Sequence, residues 1–184
     1  QIVNHSPKTP NLPLQQALDL ALRHHNAGDL PKAETIYQRI LRNDPNQPVA
    51  LHLLGVISHQ MGENDRAVDL ITKAIDIKPD FADAHCNLGI VLHELRRMDE
   101  AIASYNKATD IKPDYAEAHC NCGVTLKELG KLDGAVASYR KAISIKPNFP
   151  EANYNLGNIF KELRQLDEAV ASYHKALNIK PGYS

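Results

Sequence analysis

A proline preceded by Asp or Lys recurs at Pro45, Pro79, Pro113, Pro147 and Pro181, always 34 residues apart. A fixed period of this size means one supersecondary unit repeated in a row, and it excludes most folds built around a single closed core. Other residues keep the same step. Small residues recur at Ala21, Gly55, Gly89, Gly123 and Gly157, and alanines at Ala33, Ala67, Ala101, Ala135 and Ala169. Four residues later comes a bulky side chain at Tyr37, Ile71, Tyr105, Tyr139 and Tyr173, followed by Ile40, Ala74, Ala108, Ala142 and Ala176.

Within a unit the apolar residues fall at helical spacing. Leu88, Val91, Leu92 and Leu95 follow an i, i+3, i+4, i+7 pattern. A short polar turn such as Gly130-Lys131 separates this helix from a second. Asp65, Asp99, Asp133 and Asp167 open the second helix, where a carboxylate suits the positive helix end. The first unit carries Pro31 there, which a first helical turn tolerates. Lys78, Lys112, Lys146 and Lys180 close the helix at its negative end, and the next proline stops it. Gly and Ala at the close-contact positions let the paired helices approach to about 8–10 Å. Gly134 stands where two other units carry Glu100 and Glu168, and it weakens its helix start by about 1 kcal/mol at most.

The pattern of Leu-Gly, Ala-x-x-x-aromatic, small residue and Pro at this period resembles the tetratricopeptide repeat. The resemblance covers nearly the whole chain, as units 14–47, 48–81, 82–115, 116–149 and 150–183. The position usually held by Trp carries Ala17, Leu51, His85, His119 and Asn153, and the first unit is the most degenerate. The resemblance implies an all-α fold, a right-handed α-solenoid of five helix-turn-helix units with the first helix of each lining a concave face. A helix pair cannot bury both apolar faces alone, so stacking supplies the core. Residues 1–13 carry three prolines and no period, which predicts a largely extended tail.

Two copies of a His-Cys-Asn triplet, at His85–Asn87 and His119–Asn121, raise the question of a metal or redox site. The period answers it. Consecutive helical residues point about 100° apart, so neighbouring His and Cys do not converge on one ion. Cys86 and Cys120 fall on neighbouring first helices beyond disulfide reach, and Cys122 occupies a Leu position of the repeat, as a core residue would. No metal or other cofactor is expected. Three cysteines match no secreted disulfide framework, which points to a reducing, cytoplasmic setting. A formal net charge of −1 with scattered Lys and Arg argues against nucleic acid, and no apolar run suits a membrane span. There is no phosphate loop and no nucleophile with an evident base, so this chain by itself is not expected to be an enzyme.

The side of each first helix that faces the groove should take one stripe of positions. The stripe offers His52 and His59 in the second unit, and Asp83, Asn87 and His93 in the third. It continues with Glu117, Asn121 and Lys127, then Glu151, Tyr154, Asn155, Asn158 and Lys161. Asn87, Asn121 and Asn155 form a ladder whose amides both donate and accept. Rungs about 8–10 Å apart would meet an extended chain at every third residue, at about 3.3 Å per residue. The alternative is that these amides only satisfy neighbouring helices. The ladder is similar to that of the superhelical arms of O-linked N-acetylglucosamine transferases, which implies a substrate-selecting arm of a larger enzyme as a second reading. Tetratricopeptide clamps for acidic tails use paired Lys where Asp83, Glu117 and Glu151 stand here, so a neutral or basic protein segment is the expected partner. A third reading is self-association. The last helix, with Ala169, Val170, Tyr173, Ala176 and Leu177, is expected to expose apolar surface and join a second copy.

Overall fold

The computed structural model describes residues 13–182, so of the tail expected over residues 1–13 only Pro13 lies among the described residues. These fold into ten helices and no strand. The first helices of the units are α1 (Leu14–Asn26), α3 (Pro48–Gln60), α5 (Ala82–Glu94), α7 (Ala116–Glu128) and α9 (Pro150–Glu162). The second helices are α2 (Leu30–Asn43), α4 (Asn64–Ile77), α6 (Met98–Ile111), α8 (Leu132–Ile145) and α10 (Leu166–Ile179). Each helix packs on the one before and the one after, which makes an α-solenoid.

Local chemistry sets the ends of the elements. The turn between paired helices places one residue at positive φ in every unit: Gly28 (77°), Gly62 (80°), Arg96 (62°), Gly130 (71°) and Arg164 (58°). Glycine relieves that conformation in three units, and an arginine tolerates it in two. No side chain caps the second helices at their starts, so Asp65, Asp99, Asp133 and Asp167 in the first turns supply the favourable charge. At the far ends the lysines do more than complement the helix dipole. Lys78, Lys112 and Lys146 hold Nζ 4.9, 4.6 and 4.6 Å from the ring centroids of Phe81, Tyr115 and Phe149, pinning each second helix to the start of the next unit.

The helix pairs close tightly because one partner lacks a side chain. A Cβ built on Gly89 would lie 2.5 Å from Tyr105 Cε1, and one on Gly157 would lie 2.7 Å from Tyr173 Cε1. The tyrosine ring occupies the space that any other residue would fill. Ala33, Ala67, Ala101 and Ala135 are fully buried beside these contacts. One core cluster runs from Ala116 and Tyr139 through Leu156 and Phe160 to Ala169, so the interior is continuous from unit to unit. The last helix corrects part of the expectation made for it. Ala169 and Ala176 are buried and Tyr173 is partly buried, because they face α9, whereas Val170 and Leu177 are exposed as expected, together with Leu166.

First helices also touch the first helix of the next unit, α3 with α5, α5 with α7 and α7 with α9. Second helices make no comparable contacts among the described residues. The row of first helices is therefore the crowded, inner side of the curve.

Candidate functional site

The inner row is tied together by a pairing that the period alone does not announce. Side chains 35 residues apart meet across neighbouring first helices. His25 Nε2 lies 3.0 Å from Gln60 Oε1, Asn87 Nδ2 2.7 Å from His52 Nε2, and His93 Nε2 3.0 Å from Glu128 Oε1. His59 Nε2 stands 3.6 Å from Glu94 and also holds Asn64 through Nδ1 at 2.9 Å. The signal for these pairs was present as His followed, one unit and one residue later, by Gln, Glu or Asn.

The His-Cys-Asn triplet is thereby resolved into three separate tasks. His85 donates from Nε2 to the Pro79 carbonyl at 3.0 Å, and His119 reaches Pro113 in the same way at 3.2 Å. Asn153, at the equivalent position, donates to the Phe149 carbonyl at 3.0 Å. These side chains pin the backbone where one unit enters the next. Cys86, Cys120 and Cys122 are free and buried. Burial pushes the thiols up, to about 11 for Cys86 and about 12 for Cys120, so they are unreactive at neutral pH. Among the described residues no group of three or more His, Cys, Asp and Glu could hold a metal ion.

The stripe residues differ in how far they are already engaged. His52 is buried edge-on against Phe81, with ring centroids 4.7 Å apart, and desolvation lowers its pKa to about 4 against the opposing pull of Asp83. It is a neutral acceptor for Asn87. Asp83 is exposed. Asn87, Asn121 and Asn155 are all half-buried, and Asn155 makes no side-chain hydrogen bond among the described residues. Asn158 accepts from the Tyr173 hydroxyl at 2.8 Å, and Tyr154 lies with its ring 5.6 Å from that of Tyr173. Lys127 is half-buried, while Lys161 and Glu151 are exposed.

Charge along the stripe is partly cancelled from within. Lys146 contacts Glu117 at 2.8 Å and holds its carboxyl below the usual carboxylate range. Arg96 reaches Glu128 at 2.8 Å beside His93. The groove is less acidic than a count of its carboxylates suggests. Neither Lys146 nor Arg96 lies on the stripe, because both approach from turns outside it.

A curved row of helix pairs with a continuous core and a polar inner face defines a repeat protein of the α-solenoid class. Family profiles described as TPR repeat match residues 57–95, 97–130 and 125–163, and one described as tetratricopeptide repeat matches residues 150–183. The chain belongs to the tetratricopeptide repeat family. No curated protein sequence matches it. Among solved structures it is similar to MamA, with 28% identity, a TM-score of 0.80, and coverage of 88% of this chain and 95% of that one. It is also similar to TTC0263, a thermophilic TPR protein of Thermus thermophilus, at 26% identity and a TM-score of 0.74, covering 92% of both chains. YrrB, described as a TPR protein with an unusual peptide-binding site, shares the fold at 23% identity and a TM-score of 0.73, covering 91% of this chain and 86% of that one. Tetratricopeptide repeat proteins of this kind are protein-interaction scaffolds. Among the described residues no helix is long and apolar enough to cross a membrane.

Proposed function

We propose that the inner face of α3, α5, α7 and α9 binds an extended peptide segment of a partner protein, gripping its backbone through Asn87, Asn121 and Asn155. The observation that carries this is the state of the amides. Asn87 spends one N–H on His52, which orients the group and leaves Oδ1 and the second N–H over. One half of the side chain thus satisfies the neighbouring helix, and the other half is left for a ligand. An amide aimed by a neighbouring unit loses little freedom when a peptide docks. The fold is shared with YrrB, whose description includes a peptide-binding site.

The preferred segment is neutral or basic. Glu151 and Glu162 are exposed on the fifth unit beside Lys161, while Lys146 and Arg96 are committed to Glu117 and Glu128. The test is selection from a displayed library of random peptides, followed by calorimetry on the winners. Asn121→Ala with Asn155→Ala should weaken the selected peptides at least tenfold. Glu151→Lys should weaken basic peptides more than neutral ones. Affinities untouched by the double substitution would remove the ladder from the account.

A further inference from the structure

The outer side of the curve carries a cavity of about 370 Å³ between α8 and α10, with α9 as its floor. Ile143, Leu156, Phe160 and Ala171 give it an apolar lining. Helical geometry turns Leu156 and Phe160 away from Tyr154, Asn155 and Asn158, so no side chain of the inner stripe takes part. The space is framed within the array. α9 packs on α8 and makes no comparable contact with α6 among the described residues, so a following unit leaves such a space open.

Three replacements set this cavity apart from the same place in the two units before it. Asn153 stands for the larger rings of His85 and His119, Ser144 for Asp76 and Asp110, and Arg140 for Thr72 and Asn106. In register, Asp76, Glu100 and Lys107 leave their mouth net negative, and Asp110 with Lys141 leaves the next one neutral. Arg140, Glu168 and Lys175 leave this one net positive. Asn153 is 2% exposed and lines the cavity. Its Nδ2 donates to the Phe149 carbonyl, and its Oδ1 has no partner among the described residues. An acceptor left over on a buried amide calls for a donor from the occupant. Arg140 is held at the rim by the Phe160 ring, whose centroid is 5.8 Å from the guanidinium carbon. Neither Arg140 nor Lys175 forms an ion pair among the described residues. Because α8 and α10 run in the same direction, and Lys175 comes one residue after the position equivalent to Arg140, the two cations stand nearly level across the mouth. Glu168 lies two turns away on α10, about 10 Å along the axis.

We infer that this cavity is a second docking site, which takes a bulky apolar side chain of a partner protein with an acidic residue beside it. The apolar side chain covers Leu156 and Phe160, and the carboxylate meets Arg140 and Lys175. A main-chain N–H donates to Oδ1 of Asn153, which a peptide supplies and a simple fatty acid does not. The charge preference is opposite to that of the inner face, so one chain can hold two different segments, one on each side of α9. The outer site stands whether or not the inner face binds a peptide.

An NMR titration of the amide-labelled 184-residue chain tests this with three blocked pentapeptides. The first has a central tryptophan flanked by glutamates, the second has lysines in place of the glutamates, and the third has alanine in place of the tryptophan. The first should shift the amides around Asn153, Phe160 and Ala171 with half-saturation at about 0.1–1 mM, and should weaken as salt is added. The other two should bind at least tenfold more weakly. Arg140→Asn with Ser144→Asp installs the residue types that Asn106 and Asp110 supply one unit earlier, so the helix tolerates them. This variant should bind the first peptide at least tenfold more weakly than the wild type. Ala171→Phe, at an exposed position, fills the cavity without changing its charge and should do the same. Circular dichroism verifies that both variants remain helical. Absence of a saturable shift by about 5 mM of the first peptide overturns the inference. So do equal affinities for the glutamate and lysine peptides, shifts confined to the amides of Asn121 and Asn155, or folded variants that bind as the wild type does.

Discussion

Asn87 Nδ2 lies 2.7 Å from Nε2 of His52, so the amide of one unit donates to an imidazole buried in the unit before it. The bond joins two helices whose backbones make few direct contacts. It also fixes the protonation state of the histidine, since only the neutral ring can accept at Nε2.

Stability should therefore fall in mild acid. The folded pKa of His52 is lowered to about 4 by burial, below its ordinary value of 6.5. Between these values the unfolded chain binds a proton that the folded chain refuses. The contribution is fully present above pH 6.5 and is lost as pH falls toward 4, amounting to roughly 3 kcal/mol at most. Urea midpoints measured from pH 7 down to pH 4 should decline more steeply for the wild type than for His52→Gln. Asn87→Ala should cost about 1–3 kcal/mol at pH 7 by stranding the buried acceptor. Asn155→Ala should cost less than about 0.5 kcal/mol, as an unengaged partly exposed side chain.

Two helical glycines should respond in opposite directions. Gly89→Ala forces a methyl against the Tyr105 ring, where the nearest carbon is 2.5 Å away, and should cost about 1–3 kcal/mol. A Cβ on Gly134 meets Leu126 at 3.4 Å, an ordinary contact on a helix with normal φ. Gly134→Ala should stabilise by about 0.5–1 kcal/mol, seen as a higher melting temperature. A melting temperature lowered by Gly134→Ala would contradict the contact.

The turn residue gives a third contrast. Arg164 sits at φ 58° without an ion pair among the described residues, whereas Gly130 holds φ 71° at the same place in its unit. Arg164→Gly should stabilise by up to about 1 kcal/mol, and Gly130→Ala should destabilise by a similar amount. Thermal melts of the two single variants give the signs directly.

The repeat period made the class of fold legible before any coordinate. A step of 34 residues kept by glycine, alanine, tyrosine and proline can be satisfied only by stacked identical hairpins. The inner face was partly legible, because helical spacing groups Asn87, Asn121 and Asn155 without knowing what surrounds them. The partner of Asn87 was not, since His52 lies 35 residues away on another helix. Arg96 and Arg164 concealed a turn that three glycines elsewhere disclose.

The sequence by itself determined a row of paired helices with one shared interior, because periodic apolar side chains must be buried and only repetition buries them all. Tertiary structure alone decided which polar groups face each other across the units, that Ala169 and Ala176 turn inward while Val170 and Leu177 stay exposed, and that Lys146 and Arg96 cancel part of the acidic stripe. Those outcomes depend on distances between separate helices, which a local pattern along one chain does not carry.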